Sequence, residues 1–177
     1  MLGKVILHDF VAVCLLVMGC LGLGLVVNET RNPLLPLVYL NPEARLNAVV
    51  EGMSAAKTSN LPLDADVNLD DMRRMSADHS VLVLDARPEA LFESGHIPTA
   101  LSLPSDDFKR RFRILQKALD AYRDKTIVVY CSGPDCPDSR LTAEALRKLG
   151  WRHVRLFRGG WSEWTGASLP KEKGCGC

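Results

Sequence analysis

The chain has 177 residues, of which 47% are hydrophobic, and this suits one globular domain with an additional apolar segment. Its 22 lysine and arginine residues balance 21 aspartate and glutamate residues, so no basic excess argues for nucleic-acid binding. Six cysteines are too few for a disulfide scaffold, and they form three local pairs in the sequence, at 14 and 20, 131 and 136, and 175 and 177.

The first predicted element is an apolar helix near the N-terminus. Residues 10–27 carry no charge, and eighteen helical residues span about 27 Å, close to the thickness of a bilayer core. We therefore expect a short tail at residues 1–9 and a transmembrane helix at residues 10–27. A cleaved signal peptide is one alternative, but no Ala-x-Ala site closes the stretch. A lipoprotein signal ending at Cys20 is another, although seven apolar or glycine residues follow that cysteine.

The orientation of the predicted span is weakly encoded. Lys4 precedes the apolar stretch, while Arg31 and Arg45 follow it, so the positive-inside comparison is close to a tie. A very short N-terminal tail usually stays in the cytoplasm. We therefore expect a single-pass membrane protein whose folded domain is extracytoplasmic, in the periplasm.

Residues 28–65 are predicted to form a connector. Three prolines between positions 32 and 42 exclude a regular helix there and favour extended backbone. Residues 42–53 are the exception, because Leu46, Val49 and Val50 fall on one face of a possible short helix.

Helices and strands alternate from residue 66 to residue 170, and this pattern predicts a doubly wound parallel α/β sheet. A flexible tail follows at residues 171–177, where Cys175 and Cys177 would relay sulfur, hold a soft metal ion or be incidental. The predicted helices begin with one capped by Asn68 and continue at 88–93, 106–123 and 139–149, with a last turn from Gly159; the strands are at 81–84, 100–103, 126–130 and 154–157.

Candidate functional side chains follow three of these strands. Loops after the carboxyl ends of parallel strands line the ligand crevice, so Asp85, Arg87, Cys131 and Arg158 are expected at one edge. Cys131 also precedes a helix, whose N-terminus favours a thiolate over a thiol. The pattern predicts a nucleophilic cysteine; the alternative is a small buried apolar one.

These motifs resemble those of the rhodanese family. Residues 85–100 read DARPEALFESGHIPTA, and the runs VVYC ending at Cys131 and LFRGGW ending at Trp161 follow in order. The resemblance covers about residues 66–170 and implies a parallel sheet of about five strands flanked by helices. It also implies that Cys131 takes sulfur from a sulfane-sulfur donor as a persulfide and passes it to a thiol acceptor, without a cofactor or metal. Asp85, Arg87 and Arg158 would support the loops.

The predicted active-site loop is longer than is usual in small rhodaneses. Seven residues rather than four separate Cys131 from the helix start at Ser139. Two carboxylates in the loop would repel the thiosulfate dianion, countered only by two arginines, so a neutral persulfide is the expected donor. The loop consists of Ser132, Gly133, Pro134, Asp135, Cys136, Pro137 and Asp138, followed by Ser139 and Arg140 at the helix start.

Other functions remain open at this point. Cys136 makes the site a candidate thiol–disulfide redox pair, or a resolving thiol for a persulfide on Cys131. A phosphatase of related fold needs Cys-x5-Arg, and Arg140 is at the wrong distance from either cysteine. A non-catalytic rhodanese-like binding module is the remaining alternative. The sequence favours a membrane-anchored sulfurtransferase or sulfur carrier that acts through Cys131.

Overall fold

The structure is a computed structural model that describes residues 2–30, 41–53 and 66–174. It divides into two compact units, Met1–Leu40 and Asn41–Cys177. Its helices are α1 (Leu2–Thr30), α2 (Pro42–Met53), α3 (Leu69–Ala77), α4 (Glu89–Ser94), α5 (Phe108–Asp120), α6 (Asp138–Lys148) and α7 (Gly160–Gly166); its strands are β1 (Leu82–Asp85), β2 (Leu101–Ser102), β3 (Ile127–Tyr130) and β4 (Val154–Phe157).

Helix α1 contains the predicted span. The stretch Ala12–Thr30 has a mean hydropathy of 2.0, and none of that stretch is buried. By length and composition alone, this helix qualifies as a membrane span, and a signal sequence would meet the same criterion.

The second unit is built on a parallel sheet with strand order β2-β1-β3-β4. The described residues form four strands, so the expectation of about five is corrected. Beside β4, the described residues show one backbone hydrogen bond from outside the sheet, in which Val67 N donates to Leu156 O at 2.7 Å. The next residue, Asn68, already caps α3 by accepting a hydrogen bond from Asp71 N at 2.8 Å. The chain therefore enters α3 directly after this contact.

Alternate residues of the central strands contribute side chains to two separate hydrophobic cores, because successive side chains of a strand point to opposite faces of the sheet. Leu82 and Leu84 of β1 belong to one core, which also includes side chains of α2, α5 and α6. Val83 of β1 and Val128 of β3 belong to the other, together with Met72 of α3 and Trp164 of α7. Both faces of the sheet are thus covered by helices, as the apolar strands predicted.

Helix α2 belongs to the folded unit rather than to a connector. Its bounds match the helix predicted at residues 42–53, and Leu46 and Val50 are buried in the core formed with α5 and α6. The compact unit accordingly begins at Asn41, not near residue 66. The rest of the predicted connector, residues 31–40 and 54–65, lies outside the described residues.

The first part of the predicted tail is attached to the domain. His96 and Glu172 exchange backbone hydrogen bonds of 2.9 and 3.0 Å, and Gly174 N donates to Glu93 O at 3.0 Å. The expectation of a flexible segment from residue 171 is therefore wrong up to Gly174, since β-type pairing holds it. Cys175 and Cys177 lie outside the described residues.

Candidate active site

Cys131 lies directly beyond the carboxyl end of β3, one of the two central strands of the sheet. Its side chain is buried, with 2% of its surface exposed. Its carbonyl oxygen accepts a hydrogen bond of 2.8 Å from Trp161 N, and Ser132 O accepts one of 2.9 Å from Ser162 N. The first turn of α7 therefore fixes the backbone on which the cysteine is carried.

Gly160 allows this close contact between α7 and the cysteine. Its backbone has a φ of 59°, in the left-handed region that favours glycine. A side-chain carbon at this position would overlap Cys131 O and approach Gly133 N to 3.0 Å. Gly160, the second glycine of the third sequence motif, is thus explained by its contact with the backbone of the active-site loop.

A buried ion pair fixes the end of β1 next to the site. Arg87 donates from Nη2 to Asp85 Oδ2 at 2.6 Å and from Nε to Asp85 Oδ1 at 3.0 Å, and it also donates to Gly95 O at 2.7 Å. Tyr130, the residue before Cys131, donates its hydroxyl to Asp85 Oδ2 at 2.5 Å. Burial and the adjacent Asp85 carboxylate raise the pKa of the Tyr130 phenol well above its usual range, so that it remains a donor.

Aromatic rings cover this ion pair and the turn that follows β1. The Arg87 guanidinium lies 4.6 Å from the centroid of the Trp161 ring, which connects β1 to α7. The His96 ring stacks on Phe92 with centroids 3.8 Å apart, and its Nδ1 lies 2.9 Å from Phe92 O. The polar residues of the first motif thus hold loops and helices together around the site.

The loop after β3 folds back so that its two cysteines form a disulfide, Cys131–Cys136, with a Cα–Cα distance of 6.2 Å. A turn supports this return, in which Cys136 N donates to Gly133 O at 3.1 Å. The two sulfurs differ in access. Cys136 is half-buried and lines an open cleft of about 240 Å³, whereas Cys131 lies beneath it.

Asp138, the first residue of α6, directs its carboxylate at both sulfurs. Its Oδ2 lies 3.5 Å from Cys136 Sγ and 3.9 Å from Cys131 Sγ. Its Oδ1 accepts a hydrogen bond of 2.7 Å from the Ser105 hydroxyl, which orients the group. Ser105 could not be predicted as part of the site, because it is 33 residues away from Asp138 in the chain.

Cys131, Cys136 and Asp138 also offer three potential metal-ligand atoms within 4.8 Å of one another. Zinc and similar ions bind thiolate sulfur, whereas here the two sulfurs are bonded to each other. This donor set could therefore bind a metal only in the reduced chain.

The two arginines expected to counter the loop carboxylates both line the same cleft. Each pairs with a carboxylate outside the loop: Arg140 with Glu144 at 3.0 Å, and Arg158 with Asp66 at 2.6 Å. Asp135 is exposed and lines this cleft as well. The structure thus brings the predicted loop residues and Arg158 to one edge, and it directs the arginine charges elsewhere.

Comparison with known proteins identifies the domain. The family model described as the Rhodanese-like domain matches residues 68–167. The HTH-type transcriptional regulator Rv0324 of Mycobacterium tuberculosis is 32% identical over 122 residues, which are 69% of this chain and 50% of that protein. The tRNA uridine(34) hydroxylase of Pectobacterium carotovorum is 30% identical over 94 residues, which are 53% of this chain and 26% of that protein.

The chain thus spans about half, or about a quarter, of these curated relatives. Among solved structures, the BH2092 protein of Bacillus halodurans superposes with a TM-score of 0.54 and 22% identity, over 75% of this chain and 87% of that one. This likeness is one of fold. The family match covers more than half of the chain and includes the strand and loop that carry Cys131. The chain therefore belongs to the rhodanese-like domain family.

Proposed function

We propose that this protein is a membrane-anchored sulfur carrier whose Cys131 thiolate accepts a sulfane sulfur and passes it on to a thiol. The observation that carries the proposal is the place of Cys131, directly after a central strand of a rhodanese-like sheet, on a loop fixed by α7. The family match supports the same reading, because it includes this strand and loop.

The proposed chemistry is two successive displacements at one sulfur. The Cys131 thiolate attacks the outer sulfur of a donor persulfide, R–S–SH; the S–S bond breaks and RS⁻ leaves, giving Cys131–S–SH. An acceptor thiolate then attacks the outer sulfur, and the Cys131 thiolate is regenerated. The Asp138 carboxylate close to the sulfur supports a persulfide donor over thiosulfate, since a dianion would be repelled.

The relatives' names describe longer proteins, a transcriptional regulator and a tRNA hydroxylase. This chain spans half or a quarter of their lengths, so the proposal rests on the shared domain alone. A second candidate function is thiol–disulfide exchange, which the Cys131–Cys136 bond favours.

Sulfur loading tests the proposal directly. The Cys136→Ser chain, which cannot form the loop disulfide, is reduced in detergent, freed of reductant and incubated without oxygen with cysteine persulfide. We expect its intact mass to rise by one sulfur atom, on Cys131. A chain that remains unmodified would contradict the sulfur-carrier function and leave the redox protein or the binding module.

Membrane anchoring is the second part of the proposal and has its own test. The full-length chain is expected to stay in the membrane pellet during alkaline carbonate extraction, because α1 is long and apolar enough to span a bilayer. The matched chain lacking residues 1–40 retains the compact unit that begins at Asn41 and is expected in the supernatant.

Release of the full-length chain by carbonate would contradict the anchor, and a mature chain that begins at a lipid-modified Cys20 would replace it with a lipoprotein. We further propose that the domain is periplasmic. A membrane-impermeant thiol reagent should then label the domain cysteines, after mild reduction, on cells whose inner membrane is intact. Labelling that appears only after lysis would place the domain in the cytoplasm.

A further inference from the structure

We infer that this site also reduces the sulfur it receives: Cys136 attacks the Cys131 persulfide, releases hydrogen sulfide and leaves the Cys131–Cys136 disulfide. The inference rests on the proposed function, because it needs a persulfide on Cys131. It adds a second outcome for that sulfur. The protein becomes a persulfide reductase that consumes a dithiol, besides a carrier that hands sulfur to a thiol.

The first support is the position of the Cys136 sulfur. The loop brings its sulfur to Sγ of Cys131 itself, which in a persulfide is the inner sulfur. The Cα–Cα distance of 6.2 Å lies in the ordinary disulfide range of about 4.4–6.8 Å, so the backbone need not move for the attack. An attack on the outer sulfur would transfer it, whereas an attack on the inner sulfur expels it. The geometry therefore favours expulsion.

The second support is a proton acceptor beside the attacking thiol. Asp138 Oδ2 lies 3.5 Å from Cys136 Sγ, and the Ser105 hydroxyl holds the other carboxylate oxygen at 2.7 Å. A thiol must lose its proton before it becomes a nucleophile, and a carboxylate at this distance can take it. Asp124, an exposed aspartate in the turn before β3, lies at the opposite end of that strand from Cys131 and provides the comparison.

The step balances in atoms and electrons. Cys136 gives its proton to Asp138, and the resulting thiolate attacks Sγ of Cys131–S–SH. The Cys131–Cys136 bond forms, the persulfide S–S bond breaks, and HS⁻ leaves with the electron pair. The two cysteine sulfurs together lose two electrons, and the sulfane sulfur gains two. Asp138 then returns its proton to solvent.

The exposure of the two sulfurs determines which one an external thiol attacks when the disulfide is reduced again. Cys131 is 2% exposed, whereas Cys136 is half-buried and lines the open cleft. An external dithiol therefore attacks Cys136 Sγ, and the Cys131 thiolate leaves. The second thiol of the dithiol then displaces Cys136 from the mixed disulfide. Both cysteines return as thiols, and Cys131 is ready for the next donor.

A single-turnover experiment tests this. The reduced full-length chain in detergent, without oxygen or free reductant, receives one equivalent of cysteine persulfide. We expect about one sulfide per chain and an intact mass lower by two hydrogens than that of the reduced chain. The Cys136→Ser chain should instead keep one added sulfur and release no sulfide. We expect Asp138→Asn to slow release by about tenfold or more. Asp124→Asn, which changes an exposed carboxylate in the turn before β3, should leave the rate unchanged.

The outcomes separate this inference from the proposed function. A wild-type chain that keeps its added sulfur and releases no sulfide would overturn the inference while the carrier function stands. Failure of the Cys136→Ser chain to take up sulfur would overturn both. Equal rates for the two aspartate variants would overturn the role of Asp138. For the direction of regeneration, a monothiol such as glutathione should be trapped on Cys136; a mixed disulfide on Cys131 would overturn that step.

Discussion

Replacing Cys131 by serine is expected to abolish sulfur loading while the domain remains folded. Serine has nearly the same shape, and its position at the end of β3 is held through backbone hydrogen bonds to α7, which do not involve the thiol. A serine hydroxyl, however, is not ionised near neutral pH and does not displace sulfur from a persulfide. Intact mass after anaerobic incubation with cysteine persulfide measures the loss, and circular dichroism checks the fold.

The Cys136→Ser chain is the matched control, because it makes the same change of atoms five positions further along the loop. This chain should take up one sulfur atom per molecule. The opposite pattern, loading in Cys131→Ser and none in Cys136→Ser, would reverse the roles of the two cysteines. Partial loading of both would mean that the half-buried thiol of Cys136 also accepts sulfur from the donor.

Arg87→Met is expected to lower the free energy of unfolding by about 3–5 kcal/mol, the usual cost of removing one partner from a buried ion pair. The side chains of Arg87 and Asp85 are 3% and 0% exposed, so the remaining Asp85 carboxylate would be buried without its cation. Gly95 O would lose its hydrogen-bond donor as well. Urea unfolding of the chain lacking residues 1–40 measures the change.

Arg74→Met is the control for this prediction. Arg74 pairs with Asp71 on the same helix, but its side chain is 73% exposed, and such pairs contribute no more than about 1 kcal/mol. Similar losses of stability in the two variants would show that the buried Asp85–Arg87 pair stabilises the domain no more than an exposed ion pair does. The stability of Arg87→Met should be compared in the oxidised state, so that the loop disulfide is the same in both chains.

Much of the fold could be predicted because the chain marks its elements locally. The strand at residues 154–157 and the helix at residues 42–53 have the bounds predicted for them, since alternating or helical apolar spacing is closed by clear breaks. Strand β2 is shorter than predicted. Among the described residues it pairs with β1 alone, and Ala100 forms a turn through its hydrogen bond to Ile97 O. Pairing of this kind has no signature in local sequence.

The site divides in the same way. Its place could be predicted, because residues that follow parallel strands meet at one sheet edge. The partners of its charged side chains could not be predicted. Arg158 pairs with Asp66, 92 residues away in sequence, and Asp138 is held by Ser105 from the loop after β2. The spacing of Cys131 and Cys136 allowed either two thiols or a disulfide, and only the path of the loop distinguishes them.

The Cys131–Cys136 bond closes a short loop, and the length of that loop determines how much stability the protein loses when the bond breaks. The two cysteines are five residues apart in sequence. The bond therefore lowers the conformational entropy of the unfolded chain by the equivalent of only about 2 kcal/mol, compared with about 4.7 kcal/mol for a loop of 100 residues. The two cores on either face of the sheet hold the domain without it. For a domain of this size, a loss of about 2 kcal/mol lowers the melting temperature by only about 5–10 °C, so the reduced chain should remain folded. The bond can therefore open and close in every turnover of a protein that stays folded throughout.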